Sequence, residues 1–204
     1  MITIVNYGLG NIGAFVNIYK RMNIATKIAT NANDLLGSTH IILPGVGAFD
    51  HAMDLLSASG MREPLEEITQ QDKIPILGIC VGMQILAESS DEGVATGLGW
   101  IKGRVVSFAN DPVSSALPTP HMGWNDVKQV RSSVLFKGLE TDARFYFLHS
   151  FYFLCAESGN AEAHANYGIN FACAVQRDNV FGVQFHPEKS HHWGAILLKN
   201  FAEV

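Results

Sequence analysis

One cysteine of this 204-residue chain lies between two glycines in a way that favours covalent chemistry. Cys80 is the centre of GICVG at 78–82, where the apolar strand pattern Ile74–Ile79 meets a helical pattern. G-x-C-x-G has the spacing of a nucleophile elbow, a sharp strand-to-helix turn, with Cys in place of Ser. Side chains two residues to either side of the nucleophile would clash in that turn, which accounts for Gly78 and Gly82. A buried structural cysteine is the alternative, and this stretch alone leaves both interpretations open.

The residues after Cys80 could complete such a site. Free N–H groups in the first turn of a helix favour a thiolate, the nucleophilic form of cysteine. The backbone N–H of Val81 would face the oxyanion that forms on the attacked carbonyl group. Gln84 follows Cys80 by four residues, one helical turn along, so its side chain is expected to face the same pocket.

A histidine and a glutamate near the C terminus could supply the base for this thiol. Val180–Phe185 has a strand pattern, His186 ends it, and a proline follows. Residues two apart in an extended chain point the same way, so His186 and Glu188 are expected to project together. With Cys80 they form the Cys-His-carboxylate set of nucleophilic catalysis, whereas alone His186 would be a chain-end histidine with charged neighbours.

The glycines of NYGLGNIG, residues 6–13, spell G-x-G-x-x-G between a strand pattern and a helix pattern. A dinucleotide site also requires an acidic residue after the next strand, about 20 residues on. That strand is predicted at Ala25–Ala29, and Thr30 and Asn31 follow it, with Asp34 too late in the chain. We therefore favour a tight turn over a nucleotide site and predict no cofactor.

The other cysteines and histidines add nothing to this set. Cys155 and Cys173 lie in apolar strand patterns without flanking glycines and are expected to be packing residues. His191 and His192 are expected on a surface turn before the last helix, and no ligand cluster predicts a metal site. Three cysteines in a chain of this length argue against a disulfide framework and favour a reducing, cytoplasmic location.

Taken together, the motifs resemble those of the class-I glutamine amidotransferases. The cysteine elbow of that family, followed by Gly and Gln, matches Cys80, Gly82 and Gln84, and its His-Pro-Glu matches residues 186–188. The resemblance covers the whole chain and implies a single flavodoxin-like amidotransferase domain over 1–204. It implies that L-glutamine is hydrolysed to glutamate and ammonia through a thioester on the cysteine.

The same resemblance implies roles for further residues. PGVG at 44–47 is expected to supply a second backbone donor to the oxyanion, from Val46 or Gly47, beside that of Val81. Gln84 and the segment His149-Ser150-Phe151, above all His149 and Ser150, are expected to bind the glutamine substrate.

Three stretches narrow the resemblance to the glutaminase subunits of imidazole glycerol phosphate synthases, which serve histidine biosynthesis. They are YGLGN at 7–11, PGVGAF at 44–49 and PHMGWN at 120–125. This resemblance implies a heterodimer with a (β/α)8-barrel synthase subunit that receives the ammonia. Asn11, Met122, Trp124 and Lys189 are expected at the interface with that partner. Met122 and Trp124 are expected in a Pro-flanked loop, and the alternative for Trp124 is burial in the chain's own core.

Some residues depart from that pattern. Asn6 stands where Asp is usual, GAF at 13–15 replaces polar and basic residues, and EKSHHWG at 188–194 is unusual. These features resemble paralogous subunits associated with polysaccharide biosynthesis, so amidination of a sugar is an alternative use of the ammonia. A stand-alone cysteine hydrolase is another alternative. A redox-sensing module with a reactive cysteine would leave His186, Glu188 and Gln84 unexplained.

The elements that must position these residues follow an α/β order. The predicted N-terminal strands are 2–6, 25–29, 40–43 and 74–79, and the predicted helices are 12–22, 34–37, 49–57, 61–71 and 81–88. The later strands are predicted at 100–108, 126–130, 144–153, 161–167, 171–176 and 180–185, and a last helix at 193–202. This order predicts a flavodoxin-like, largely parallel sheet flanked by helices, with antiparallel additions in the C-terminal half. The Pro- and Ser-rich segment 110–120 is the best candidate for a mobile loop.

Composition excludes several classes of protein. Apolar residues make up 48% of the chain and charged residues 16%, which excludes a disordered protein. The net charge of −5 indicates no basic face for nucleic acid. No apolar stretch reaches the roughly 20 residues that a membrane-spanning helix requires, so no membrane association is predicted.

Overall fold

The computed structural model describes all residues from 1 to 204. Its helices are α1 (Ile12–Arg21), α2 (Phe49–Ala58), α3 (Arg62–Gln70), α4 (Val81–Gln84) and α5 (His191–Ala202). Its strands are β1 (Ile2–Val5), β2 (Thr26–Ala29), β3 (His40–Gly45), β4 (Ile76–Cys80), β5 (Ser89–Ser90), β6 (Gly103–Ser107), β7 (His121–Asp126), β8 (Lys128–Gln129), β9 (Arg144–His149), β10 (Phe151–Cys155), β11 (Ala161–Tyr167), β12 (Ile169–Arg177) and β13 (Val180–Val183). None of the helices combines the length and the apolar character needed to cross a membrane.

Most strands form one mixed sheet. Its parallel part has the order β2-β1-β3-β4-β13. β12 then pairs antiparallel with β13, β10 and β11, and β10 pairs antiparallel with β6. β7 and β9 form a separate antiparallel pair. The predicted fold class, with its antiparallel additions in the C-terminal half, is confirmed.

Burial on both faces of the sheet explains why the central strands have largely apolar sequences. Every residue of β1 and of β4 is buried, as expected for parallel strands covered on both faces. The core is a single cluster of 53 buried residues. Helices α1 and α5 pack against each other, and the hydroxyl of Tyr19 on α1 donates a hydrogen bond to the carbonyl of Leu198 on α5 at 3.0 Å. The strand ends that carry the candidate site are thus anchored in one core.

The helix after Cys80 is shorter than predicted. The sequence pattern extends over 81–88, but α4 ends at Gln84. The next N–H groups form tighter bonds, from Leu86 to the Met83 carbonyl and from Ala87 to the Gln84 carbonyl. The carbonyls that would continue the helix instead accept hydrogen bonds from residues 98–101. A returning loop therefore ends the helix, a long-range contact that its periodicity could not indicate.

Two later predictions also differ from the structure. Residues 121–126 form β7 rather than a loop, and their side chains alternate between buried or half-buried and exposed positions. The predicted strand 144–153 is broken at Ser150 into β9 and β10, which lie in different sheets. Segment 110–120 contains a 3-10 turn anchored by the buried Ser114, whose hydroxyl donates to the Phe108 carbonyl at 2.8 Å. Mobility there stays a prediction.

Candidate active site

Cys80 lies on a sharp turn between β4 and α4. Its backbone has φ +56° and ψ −114°, a conformation that costs a non-glycine residue about 1–3 kcal/mol. A Cβ at Gly78 would lie 2.5 Å from the Gly82 carbonyl oxygen, and a Cβ at Gly82 would lie 1.9 Å from that of Leu43. Both glycines are therefore required by close backbone approach, as the elbow interpretation predicts.

His186 and Glu188 project together in the segment after β13, where Pro187–Lys189 forms a 3-10 turn instead of the predicted extended chain. The imidazole Nδ1 lies 2.8 Å from Glu188 Oε1, and both side chains are almost completely buried. The backbone N–H of His186 donates to the Tyr146 carbonyl at 2.8 Å, and its carbonyl accepts from the Ser190 hydroxyl at 2.6 Å. These bonds fix the strand end against β9 and leave the second imidazole nitrogen free to face Cys80.

The electrostatics of this group favour a charged imidazole. Burial disfavours the imidazolium and is the largest single influence on His186. Hydrogen bonds and charge from Cys80 and Glu188 act in the opposite direction and together raise the pKa of His186 above its ordinary value. The geometry thus suits a protonated imidazole held between Cys80 and a carboxylate.

A cavity of about 250 Å³ opens over Cys80. Its lining consists of Val46, Gly47, Cys80, Val81, Gln84, Glu92, Pro120, Leu148, His149, Ser150, Phe151, His186 and Lys189. The structure therefore brings together the residues that the sequence assigned to the nucleophile, the base, the oxyanion donors and the substrate, with Glu188 behind His186. A larger surface cavity of about 890 Å³ lies within 127–142, but no cysteine or histidine lines it. We take the smaller cavity as the candidate site.

The PGVG segment lies beside Cys80 because β3 and β4 are parallel neighbours, with Gly45 opposite Cys80. Gly47 has φ +101°, which lets the chain turn at the cavity wall. Gly10 of the opening glycine pattern packs under this segment, since a Cβ there would lie 2.8 Å from the Pro44 side chain. The absence of a side chain at Gly10 therefore serves close packing against the PGVG segment.

Two glutamines form a chain of hydrogen bonds that ends at Cys80. Gln84 Nε2 donates to the Phe151 carbonyl at 3.2 Å and to Gln184 Oε1 at 3.1 Å. Gln184 Nε2 in turn points at Cys80 Sγ, at 3.8 Å. The sequence analysis missed Gln184, although it precedes His186 by two residues, the same spacing that paired His186 with Glu188.

Two imidazoles extend this chain to β7. His149 Nδ1 lies 2.7 Å from the Phe151 carbonyl, and its Nε2 lies 2.9 Å from His121 Nδ1. Burial lowers the pKa of His149 to about 3 and that of His121 to about 4. Sequence analysis also missed His121 and Glu92, whose carboxylate accepts from the backbone N–H of Phe49 at 2.8 Å. Neither residue has a local signal, because its contacts come from distant parts of the chain.

Comparison with known proteins identifies the family of the chain. The model of the family described as glutamine amidotransferase class-I matches residues 3–204. The chain belongs to this family. It is 65% identical to the imidazole glycerol phosphate synthase subunit HisH of Bdellovibrio bacteriovorus and 52% identical to the subunit of the same name from Leptospira interrogans, over the full length of both proteins in each case. A crystal structure described as a glutamine amidotransferase superposes with a TM-score of 0.75 at 19% identity, covering 99% of this chain and 97% of the other, and shows the shared fold.

The residues assigned to a partner surface lie outside the cavity of this amidotransferase, except Lys189. Met122 is 64% exposed and Trp124 38% exposed, so Trp124 is not part of the core. The Trp124 ring stacks on His191 at 5.3 Å between centroids. Lys189 Nζ lies 5.7 Å from the Tyr146 ring centre. Asn11 caps α1 by accepting a hydrogen bond from the N–H of Ala14 at 3.2 Å, and like Lys189 it is exposed.

Proposed function

We propose that this chain is a cytoplasmic glutaminase subunit that hydrolyses L-glutamine and delivers the ammonia to a barrel-type synthase subunit forming imidazole glycerol phosphate in histidine biosynthesis. The observation that carries the proposal is the arrangement of Cys80, His186 and Glu188 in and behind one buried cavity. The relatives named as imidazole glycerol phosphate synthase subunits support the choice of pathway over a sugar-amidating paralogue.

The first half of the reaction forms a thioester. The Cys80 thiolate bonds to the carboxamide carbon of glutamine, and the carbonyl electron pair moves onto the oxygen. The N–H of Val81 and an N–H from Val46 or Gly47 stabilise that oxyanion. The His186 imidazolium gives its proton to the amide nitrogen, the C–N bond breaks, and ammonia leaves.

The second half releases glutamate. Neutral His186 removes a proton from water, whose oxygen attacks the thioester carbon, and the C–S bond then breaks to restore the thiolate. Glu188 accepts a hydrogen bond from Nδ1–H of His186 throughout, so it fixes the tautomer and stabilises the imidazolium. Gln84, His149 and Ser150 line the cavity where the substrate would lie, and we assign them to glutamine binding.

An exposed apolar surface beside the cavity supports the partner assignment. Met122 and Leu148 are cross-strand neighbours on β7 and β9, and both are exposed, at 64% and 37%. Leu148 also lines the cavity, so this surface reaches its mouth. Exposed apolar and aromatic residues of this kind are typical of docking surfaces. We include Trp124, Asn11 and Lys189 in the surface. A partner docked there would receive ammonia before it equilibrates with bulk solvent.

The test measures glutamate release by the purified chain, alone and with the barrel subunit of imidazole glycerol phosphate synthase. We expect little activity alone and strong activation in the complex. Cys80→Ala should abolish glutamine-dependent synthesis but leave synthesis from added ammonium, while the control Cys155→Ala should keep both. Glutamine-dependent turnover by Cys80→Ala would refute the assignment. High activity alone, unchanged by the partner, would favour a stand-alone hydrolase, and activation only by a sugar-amidating synthase would favour the paralogue.

A further inference from the structure

The Cys80 thiolate needs a stabilising neighbour that the elbow alone does not supply. The helix that follows it, α4, has four residues, so its dipole is small. Two groups lie within hydrogen-bond distance of Sγ, the Leu148 carbonyl at 4.0 Å and Gln184 Nε2 at 3.8 Å. The charge of His186 and the Tyr7 hydroxyl also interact with Cys80. The carbonyl can accept only from a protonated thiol, whereas the amide N–H can donate to a thiolate.

We propose that Gln184 is a further catalytic residue, whose side-chain N–H donates to the Cys80 thiolate and aims it at the substrate. The proposal rests on the glutaminase function proposed above. Gln184 is completely buried, so water does not compete for its amide. A donor to an ionised acceptor contributes more than one to a neutral group.

The orientation of the Gln184 amide is fixed by its neighbours. Its Oε1 accepts from Gln84 Nε2 at 3.1 Å, and the other hydrogen of that Nε2 goes to the Phe151 carbonyl at 3.2 Å. A flipped Gln184 amide would place two NH2 groups face to face and turn its oxygen toward the thiolate. Both contacts would be repulsive, so only one orientation presents a donor to Cys80.

Hydrogen bonds also determine the tautomers of the two imidazoles on the other side of the Phe151 carbonyl. His149 Nδ1 must carry the proton that bonds this carbonyl at 2.7 Å, so its Nε2 accepts from His121 Nδ1 at 2.9 Å. His121 Nε2 then accepts from the Asn125 amide at 3.1 Å. Gln84 is the positioning residue, since its Nε2 alone contacts Gln184 Oε1, and His149 shares the Phe151 carbonyl with it.

A neutral donor suits both halves of the reaction. Gln184 stabilises the thiolate without supplying a proton, so the proton for the departing ammonia stays on His186. The contact weakens while the sulfur is bonded in the thioester. It strengthens again when the second tetrahedral intermediate collapses and Cys80 leaves as a thiolate. Gln184 thus favours both attack and release by the same atom.

The test measures the reactivity of the Cys80 thiolate directly. Gln184→Met removes the donor and keeps an unbranched side chain of similar length. In the full chain, alkylation of Cys80 by iodoacetamide is followed by mass spectrometry across a pH series. In Gln184→Met we expect the midpoint of the alkylation rate against pH to move upward by about one pH unit, which is a ten-fold loss of thiolate at a given pH. In the complex, we expect kcat for glutamine to fall about ten-fold with KM little changed, and ammonium-dependent synthesis to be unaffected.

The matched control is Gln176→Met on β12, where the amide contacts Arg131 and the Asp178 carbonyl away from the cavity. It should leave the alkylation midpoint unchanged. Gln84→Met keeps Gln184 but removes the hydrogen bond that fixes the orientation of its amide. We therefore expect a smaller shift of the midpoint in the same direction. This variant replaces Gln184→Met in the test if Gln184→Met fails to fold. An unchanged midpoint in a folded Gln184→Met, or in Gln84→Met where the first does not fold, would overturn the proposal. Glutamate release by Cys80→Ala would instead refute the proposed function. The two failures can be told apart because the alkylation of Cys80 is measured without glutamine hydrolysis.

Discussion

Mild acid should destabilise this fold, because two buried histidines must stay neutral within it. His121 and His149 face each other at 2.9 Å, and each remaining ring nitrogen already has a hydrogen-bond partner. An added proton would place two N–H groups against each other or against the Asn125 amide. Burial lowers the pKa of His149 to about 3 and that of His121 to about 4, from 6.5 for the free side chain.

The sign and size of the effect follow from proton linkage. Between the folded and unfolded pKa values, the unfolded chain binds protons that the folded chain does not, so stability falls as the pH drops below about 6.5. From pH 7 to pH 5 each histidine should cost about 2 kcal/mol, or about 4 kcal/mol together. His186 has the opposite shift. Its raised pKa stabilises the fold most strongly below 6.5, and this stabilisation decreases as the pH rises. From pH 7 to pH 5 it therefore offsets the loss by up to about 1 kcal/mol, equally in every variant that keeps His186.

The assay compares the wild-type chain with His121→Phe. The phenyl ring can keep the stacking of His121 against Phe147 and Tyr167, whose centroids lie at 4.8 and 4.2 Å. Urea unfolding at pH 7 and pH 5 should give a loss of stability that is about 2 kcal/mol larger for the wild type than for the variant. Other titrating groups are common to both proteins and cancel in the comparison. Equal losses in the two proteins would refute the conclusion that His121 is kept neutral by the fold.

Three further outcomes can be measured separately. Glu188→Gln should lower glutamine turnover at least about ten-fold without abolishing it, because the carboxylate orients His186 but exchanges no proton; a folded variant with no activity would give Glu188 a direct chemical role. Tyr7→Phe should leave the free energy of unfolding unchanged or raise it by up to about 1 kcal/mol, because the Tyr7 hydroxyl is buried without a hydrogen-bond partner. A clear loss of stability in thermal unfolding would contradict this reasoning. Trp124→Ala should weaken binding of the barrel subunit by about 1–3 kcal/mol in calorimetry, and an unchanged affinity would remove Trp124 from the interface.

The elbow could be predicted from sequence because its constraints are local. The crowding that requires Gly78 and Gly82 arises within one turn and one neighbouring strand. The pairing of His186 with Glu188 is also local, although the structure forms it at a 3-10 turn, Pro187–Lys189, and not on the extended chain that the sequence analysis assumed. The α/β order could also be predicted from local patterns, since buried parallel strands are apolar throughout and alternate with amphipathic helices.

The network around Cys80 could not be predicted because its members are far apart in sequence. Gln184 contacts Cys80 across 104 residues, and His121 contacts His149 across 28. Whether a buried glutamine faces the nucleophile depends on the pairing of β13 with β4, which only the folded sheet determines. The same holds for α4, whose end is set by the loop at 98–101.

The two segments that first suggested a partner surface reach the nucleophile by separate routes. Gly10 packs on Pro44, at the base of the PGVG segment to which we assign the second oxyanion donor. His121 on β7 reaches Cys80 through the hydrogen-bond chain that ends at Gln184. A partner docked against both segments would therefore bear on the oxyanion donor through one contact and on the thiolate through the other. Such a surface couples docking to catalysis, which is why we expect the partner to activate glutamine hydrolysis and not only to collect its ammonia.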